Sequence, residues 1–296
     1  MKGTIFEGAG VAIITPMKDD GSVNYAELGN IVEDQIAKHT DAIIVCGTTG
    51  ESATMDTREH IKVIKYVCDA VNGRIPVIAG AGSNDTSYGV DLAKEATDCG
   101  ADALLVVTPY YNKTSQAGLV NHYNYIADRV TRPIIVYNVP SRTGLNILPQ
   151  TYVQLGKHPM IWGVKEANGN VSALAESISL CSDSLTFYSG NDDQITSFMS
   201  LGAKGVISVL SNVCPQETHD IAQAALDGDF KKSAQLQLKY LELCNKLFSD
   251  VNPIPVKAAM NMIGWNVGEC RMPLYKMSEE KEKALRECLV RYGLVK

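Results

Sequence analysis

The chain has 296 residues with 27 basic and 33 acidic side chains, for a formal net charge of −6. Hydrophobic residues make up 45% and charged residues 20%, a globular composition rather than a disordered one. There is no apolar run of about 18 residues that would span a membrane, no signal-peptide stretch in MKGTIFEGAG and no Lys/Arg block. Membrane, secreted and nucleic-acid-binding classes therefore drop out, and a soluble cytoplasmic protein is expected. The eight cysteines, at 46, 68, 99, 181, 214, 244, 270 and 288, form no C-x-x-C pair. They are expected to behave as small buried hydrophobes.

Short β-branched apolar runs recur in chain order: Val11–Thr15, Ala42–Cys46, Ile75–Ala79, Ala103–Val107, Ile134–Asn138, Ile161–Lys165, Leu185–Ser189 and Gly205–Val209. Continuous runs of this kind suit parallel strands buried on both faces. Amphipathic stretches such as Tyr25–Lys38, Arg58–Val71, Tyr88–Cys99 and Gly118–Val130 fill the gaps. Eight such units predict an α/β fold, a (β/α)8 barrel, over a doubly wound open sheet. From Gln216 onward the chain reads as helix, with segments Gln216–Leu226, Asp229–Phe248, Pro255–Ile263 and Ser278–Tyr292. The first closes the eighth unit, which leaves a barrel over residues 1–228 and a three-helix appendage over 229–296.

In such a barrel the chemistry sits at the C-terminal ends of the strands. After strand two comes Gly47-Thr48-Thr49-Gly50-Glu51-Ser52. It suits either an anion cradled by backbone N–H groups and hydroxyls or a helix cap with Glu51 in the first turn. Gly80-Ala81-Gly82 lacks the third glycine of a dinucleotide loop. Tyr110, Tyr111 and Tyr137 stand at the mouth as proton relays or simple packing. Arg142 fits a substrate carboxylate or a surface ion pair. Period-two alternation puts Ile161, Gly163 and Lys165 on one face of strand six, with Trp162 and Val164 on the other. Lys165 then points into the barrel, where desolvation favours the neutral, nucleophilic amine. The competing reading pairs it with Glu166 or lets it snorkel to solvent. The five histidines have no ligand spacing, and Asp192-Asp193 is commoner as a cap than as a metal site. No metal is expected.

The segments Gly47–Glu51, Pro109–Asn112, Tyr137–Gly144, Gly163–Ala167, Gly190–Asp193, Gly205–Val209 and Asn252–Lys257 together resemble the dihydrodipicolinate synthase family of pyruvate-dependent class I aldolases. The resemblance spans essentially the whole chain. It implies condensation of pyruvate with L-aspartate 4-semialdehyde, through an imine on Lys165, to give 4-hydroxy-tetrahydrodipicolinate on the route to diaminopimelate and lysine. It further implies a Tyr137 proton shuttle completed by Thr48 and by Tyr111 from a neighbouring subunit, with Thr49, Arg142, Gly190 and Ile207 binding substrate. No cofactor is implied, because the imine is itself the electron sink, and the assembly implied is a homotetramer. A sugar-acid aldolase, such as N-acetylneuraminate lyase or a 2-keto-3-deoxy-gluconate aldolase, would share Lys165 and Tyr137 but carry other groups at positions 48 and 142.

The resemblance also marks an effector site for lysine at Ser52, Ala53, His60, Asn84 and Tyr110. Strongly inhibited members grip the lysine ammonium with an acidic residue where this chain has Tyr88, and carry an aromatic or His where it has Thr57. A lost charge-assisted hydrogen bond is worth about 1.5–3 kcal/mol. Weak or absent inhibition by lysine is therefore expected in a coupled assay, and half-inhibition below millimolar lysine would overturn this.

Overall fold

The computed structural model describes residues 2–295. Eight parallel strands close into a barrel in sequence order: β1 (Gly8–Ala12), β2 (Ala42–Val45), β3 (Val77–Gly80), β4 (Ala103–Val107), β5 (Ile134–Asn138), β6 (Ile161–Glu166), β7 (Thr186–Ser189) and β8 (Gly205–Ser208). The outer ring is α1 (Tyr25–Ala37), α2 (Thr57–Val71), α3 (Thr86–Asp98), α4 (Gln116–Ala127), the short α5 (Pro140–Thr143) and α6 (Pro149–Leu155), α7 (Val171–Cys181), α8 (Ile195–Ser200) and α9 (Pro215–Leu226). Three further helices follow: α10 (Phe230–Leu247), α11 (Ile254–Met262) and α12 (Glu279–Arg291). Asn24, Asp56, Asp85, Ser115 and Asn170 each accept a first-turn backbone N–H, which sets where their helices begin.

Two apolar cores result from strand alternation. One lies between strands and helices; the other fills the barrel with Ala12, Ile44, Ile78, Leu105, Ile135, Tyr137 and Ile207. Phe6 stacks on Tyr188 at 4.4 Å and closes the lower end, where the Tyr188 hydroxyl donates to the Phe6 carbonyl at 2.8 Å. Five of the cysteines are buried and the other three partly so, as expected of small hydrophobes.

Three expectations need correction. The first strand is Gly8–Ala12 rather than Val11–Thr15. Gly8 takes φ +104°, and a Cβ there would lie 2.2 Å from the Asp41 carboxylate; across the seam, a Cβ on Gly205 of β8 would lie 2.0 Å from the Gly8 carbonyl oxygen. The ladder then ends because the Ile14 N–H is taken by the Asn212 side chain at 3.0 Å. On β6 the register slips, so that Ile134 faces Ile161 but Ile135 faces Gly163. Trp162 is the extra residue, and Ile161 turns outward to join the helix-side core. Gly163 and Lys165 keep the inward face predicted for them. Finally, the chain between α11 and α12 is irregular rather than helical.

That irregular segment is tied to the barrel mouth. The Arg271 N–H donates to Glu51 Oε2 at 2.8 Å, and its guanidinium holds the Gly21 carbonyl and Glu59. Lys257 Nζ meets Glu51 Oε1 at 2.8 Å, with the two side chains 2% and 0% exposed. Losing one member of a buried pair strands the other charge. Lys257→Ala is accordingly expected to cost about 3–5 kcal/mol in urea unfolding, and Lys257→Met with Glu51→Leu clearly less. A single variant no worse than the double would contradict this.

Candidate active site

The C-terminal ends of β2, β5, β6 and β8 converge on Lys165. Lys165 is 6% exposed, and its Nζ lies 4.4 Å from the centre of the Tyr137 ring on the neighbouring strand. Burial pulls its pKa down to about 8; the Asp192 carboxylate opposes that fall and the Arg142 charge adds to it. The Tyr137 hydroxyl is pushed above the usual phenol value by burial, against the nearby Arg142 charge and a hydrogen bond with Thr48. Ile207 sits inside the barrel on β8, paired in register with Gly10 of β1.

The alternative in which Glu166 neutralises Lys165 does not hold. Glu166 lies on the opposite face, where it accepts from the Tyr152 hydroxyl at 2.6 Å, from the Asn138 amide at 2.9 and 3.1 Å, and from the Asn168 N–H at 2.9 Å. Burial raises its pKa, while those donors pull it back. The polar residues that end β5 and β6, Asn138 and Glu166, stand opposite each other in the ladder. That pairing is a cross-strand signal that a search for chemistry at inward positions passes over.

The loop after β2 does not follow the helix-cap reading. Glu51 adopts a left-handed backbone, φ +58°, and caps nothing with its side chain; the carboxylate turns inward to Lys257. Thr49 is buried and accepts from the Asn252 amide at 3.0 Å. Arg142 closes the short α5 and donates to the Asn252 carbonyl at 3.0 Å, rather than making a surface ion pair. Gly190 follows β7, where a Cβ would sit 2.6 Å from that of Ala167. Asp192 is buried, and its Oδ2 accepts the Val209 and Leu210 N–H groups at 3.0 and 2.9 Å. It anchors the turn after β8, and burial raises its pKa against those bonds.

Tyr111 stands apart. It is 93% exposed with φ +68°, so the chain does not bring it together with Tyr137 and Thr48. Of the effector positions, His60 is buried with Nε2 2.8 Å from the Gly80 carbonyl oxygen. Burial lowers its pKa against that bond. Ser52 and Asn84 are half-buried, and Ala53 and Tyr110 are exposed. The Asn84 carbonyl accepts from Asn112 at 2.9 Å. Tyr88 and Thr57 hydrogen-bond to each other, hydroxyl to hydroxyl, at 2.9 Å. A cavity of about 60 Å³ is lined both by Thr48 and Tyr137 and by Ser52 and His60. Sequence reasoning missed Glu51, Asn252 and Lys257 as parts of the mouth, although the Asn252–Lys257 segment carried part of the resemblance.

A model of the dihydrodipicolinate synthetase family matches residues 5–291. The 4-hydroxy-tetrahydrodipicolinate synthase of Caldicellulosiruptor saccharolyticus is 56% identical over 98% of both chains. That of Acetivibrio thermocellus is 51% identical over the full length of both. Among solved structures, the dihydrodipicolinate synthase of Aquifex aeolicus superposes with TM-score 0.95 at 45% identity, over 98% of this chain and 99% of that one. The Acinetobacter baumannii enzyme, solved with pyruvate, gives 0.97 at 41% identity over 99% and 100%. With its closed barrel, inward lysine and matching length, the chain belongs to the dihydrodipicolinate synthetase family.

Proposed function

We propose that this chain condenses pyruvate with L-aspartate 4-semialdehyde to form 4-hydroxy-tetrahydrodipicolinate. The observation that carries the reading is a buried lysine, its pKa drawn down to about 8, packed on a tyrosine at the mouth of the barrel. The neutral Lys165 amine attacks C2 of pyruvate and water leaves, giving an iminium. Loss of a methyl proton yields the enamine, whose C3 bonds to the aldehyde carbon. The substrate's own amine then attacks C2, closes the ring and expels Lys165. Tyr137 moves protons at the imine, in contact with Thr48. Thr49 receives the pyruvate carboxylate, with Gly190 and the Ile207 carbonyl beside it, and Arg142 the carboxylate of the semialdehyde.

The exposure of Tyr111 supports a role in a neighbouring subunit's relay, within a homotetramer built as a dimer of dimers. Ser52, Ala53, His60, Asn84 and Tyr110 are the effector positions, and the hydrogen-bonded Thr57–Tyr88 pair offers an ammonium no carboxylate. Among the described residues no helix is long and apolar enough to cross a membrane, in keeping with a cytoplasmic enzyme. The barrel of residues 1–228 carries the imine, and the segment 229–296 braces its mouth. Curated relatives that share the name of the synthase weigh against the sugar-acid aldolase reading.

Offered pyruvate with either L-aspartate 4-semialdehyde or N-acetylmannosamine, the protein is expected to turn over the semialdehyde alone. Tyr137→Phe should lower kcat by about 10²–10⁴-fold. Turnover of the amino sugar would move the chain elsewhere in the superfamily. Only the neutral amine attacks, so trapping of the pyruvate imine by cyanoborohydride should rise with pH through a midpoint of about 8. A midpoint near the ordinary lysine value of about 10.4 would refute the desolvated amine.

A further inference from the structure

Asn252 touches both groups assigned to the substrate carboxylates, yet it belongs to the turn between α10 and α11, outside the barrel. It is 6% exposed. Its Nδ2 donates to Thr49 Oγ1 at 3.0 Å, its backbone carbonyl accepts from Arg142 Nη2 at 3.0 Å, and its own Oδ1 is buried with no partner. A purely structural amide in such a place would be expected to satisfy its oxygen. The reverse orientation of the amide would take the Thr49 proton and turn the NH₂ group to the buried position where Oδ1 has no partner. Orphaned buried donors are rarer than under-satisfied oxygens. As placed, the amide fills a lone pair of the Thr49 oxygen and leaves the hydroxyl proton free. In that bond Thr49 Oγ1 is the acceptor.

We propose that Asn252 is a positioning residue: it orients the Thr49 hydroxyl so that its proton is presented to the pyruvate carboxylate, while its carbonyl fixes the guanidinium that receives the second substrate. This rests on the reading of the site given above. It makes the helical segment part of the substrate site rather than an appendage.

The test is imine trapping on the full-length protein across a range of pyruvate concentrations, read as the mass of the Lys165 adduct, with thermal midpoints as a folding control. If the unaltered chain traps no pyruvate, the underlying reading falls, whatever the variants do. Asp has the size of Asn but can only accept, so N252D captures the Thr49 proton, whereas N252A leaves the hydroxyl free to turn. The pyruvate concentration for half-maximal trapping is expected to rise at least about tenfold more in N252D than in N252A, the scale of one hydrogen bond to a charged group. A structural Asn252 predicts the opposite order, since Asp disturbs packing less than Ala, and that order would overturn the proposal. In a Thr49→Val background the N252D loss should shrink by about the same factor. A loss of equal size in both backgrounds would mean simple charge repulsion and would overturn it as well. Should N252A not fold, N252D must lose at least as much as T49V; a smaller loss has the same consequence.

Discussion

The mouth of this barrel depends on the buried pair between Glu51 and Lys257. Two charges taken out of water carry a desolvation cost that their mutual attraction offsets only when the remaining donors and acceptors are also used. Here they are. Lys257 reaches the Thr15 and Glu269 carbonyls as well as Glu51, and Glu51 accepts the Arg271 N–H with its second oxygen. Thr15 lies just past β1, Glu51 past β2, and Glu269 and Arg271 in the irregular segment after α11. One ion pair thus ties α11 and the irregular segment after it to the loops that follow β1 and β2. The left-handed backbone of Glu51 follows, because the carboxylate has to turn beneath the loop that carries Thr48 and Thr49.

The same enclosure sets the chemistry at Lys165. A lysine on the wall of an open cleft would keep its proton at neutral pH and its amine would be no nucleophile. Burial draws the pKa to about 8, and the flanking charges trim the result in opposite directions, Asp192 upward and Arg142 downward. With Glu166 committed to Tyr152, Asn138 and Asn168 on the other face, no carboxylate among the described residues forms an ion pair with the amine. A neutral fraction on the order of a tenth to a quarter near pH 7–7.5 follows from that value. The amine is available without being permanently deprotonated, which suits a group that must also leave.

How much of this the sequence disclosed depended on how local each signal was. β4 and β5 are matched to the residue, because an uninterrupted apolar run has one reading inside a closed barrel. β1 was displaced because its glycines look like breakers until Gly8 is seen at φ +104°, where a Cβ would lie 2.2 Å from the Asp41 carboxylate. Alternation placed Lys165 correctly but not Ile161, since a one-residue bulge leaves no mark in an apolar stretch. Asn252 and Lys257 were invisible as site residues for a different reason. Their partners lie 203 and 206 positions away, beyond the reach of periodicity or spacing.

Tyr111 marks where a single chain stops explaining itself. A bulky residue with φ +68° sits in a sparsely populated region of backbone space and persists only where something over-determines it. Within the chain, the ring has no burial to compensate, being 93% exposed. Its neighbours Thr108 and Asn112 do hold the turn, through Thr143 and the Asn84 carbonyl respectively. The backbone is therefore fixed in a way that displays the ring rather than packs it. An exposed aromatic on a rigid, strained turn beside a catalytic mouth gains nothing from the fold around it.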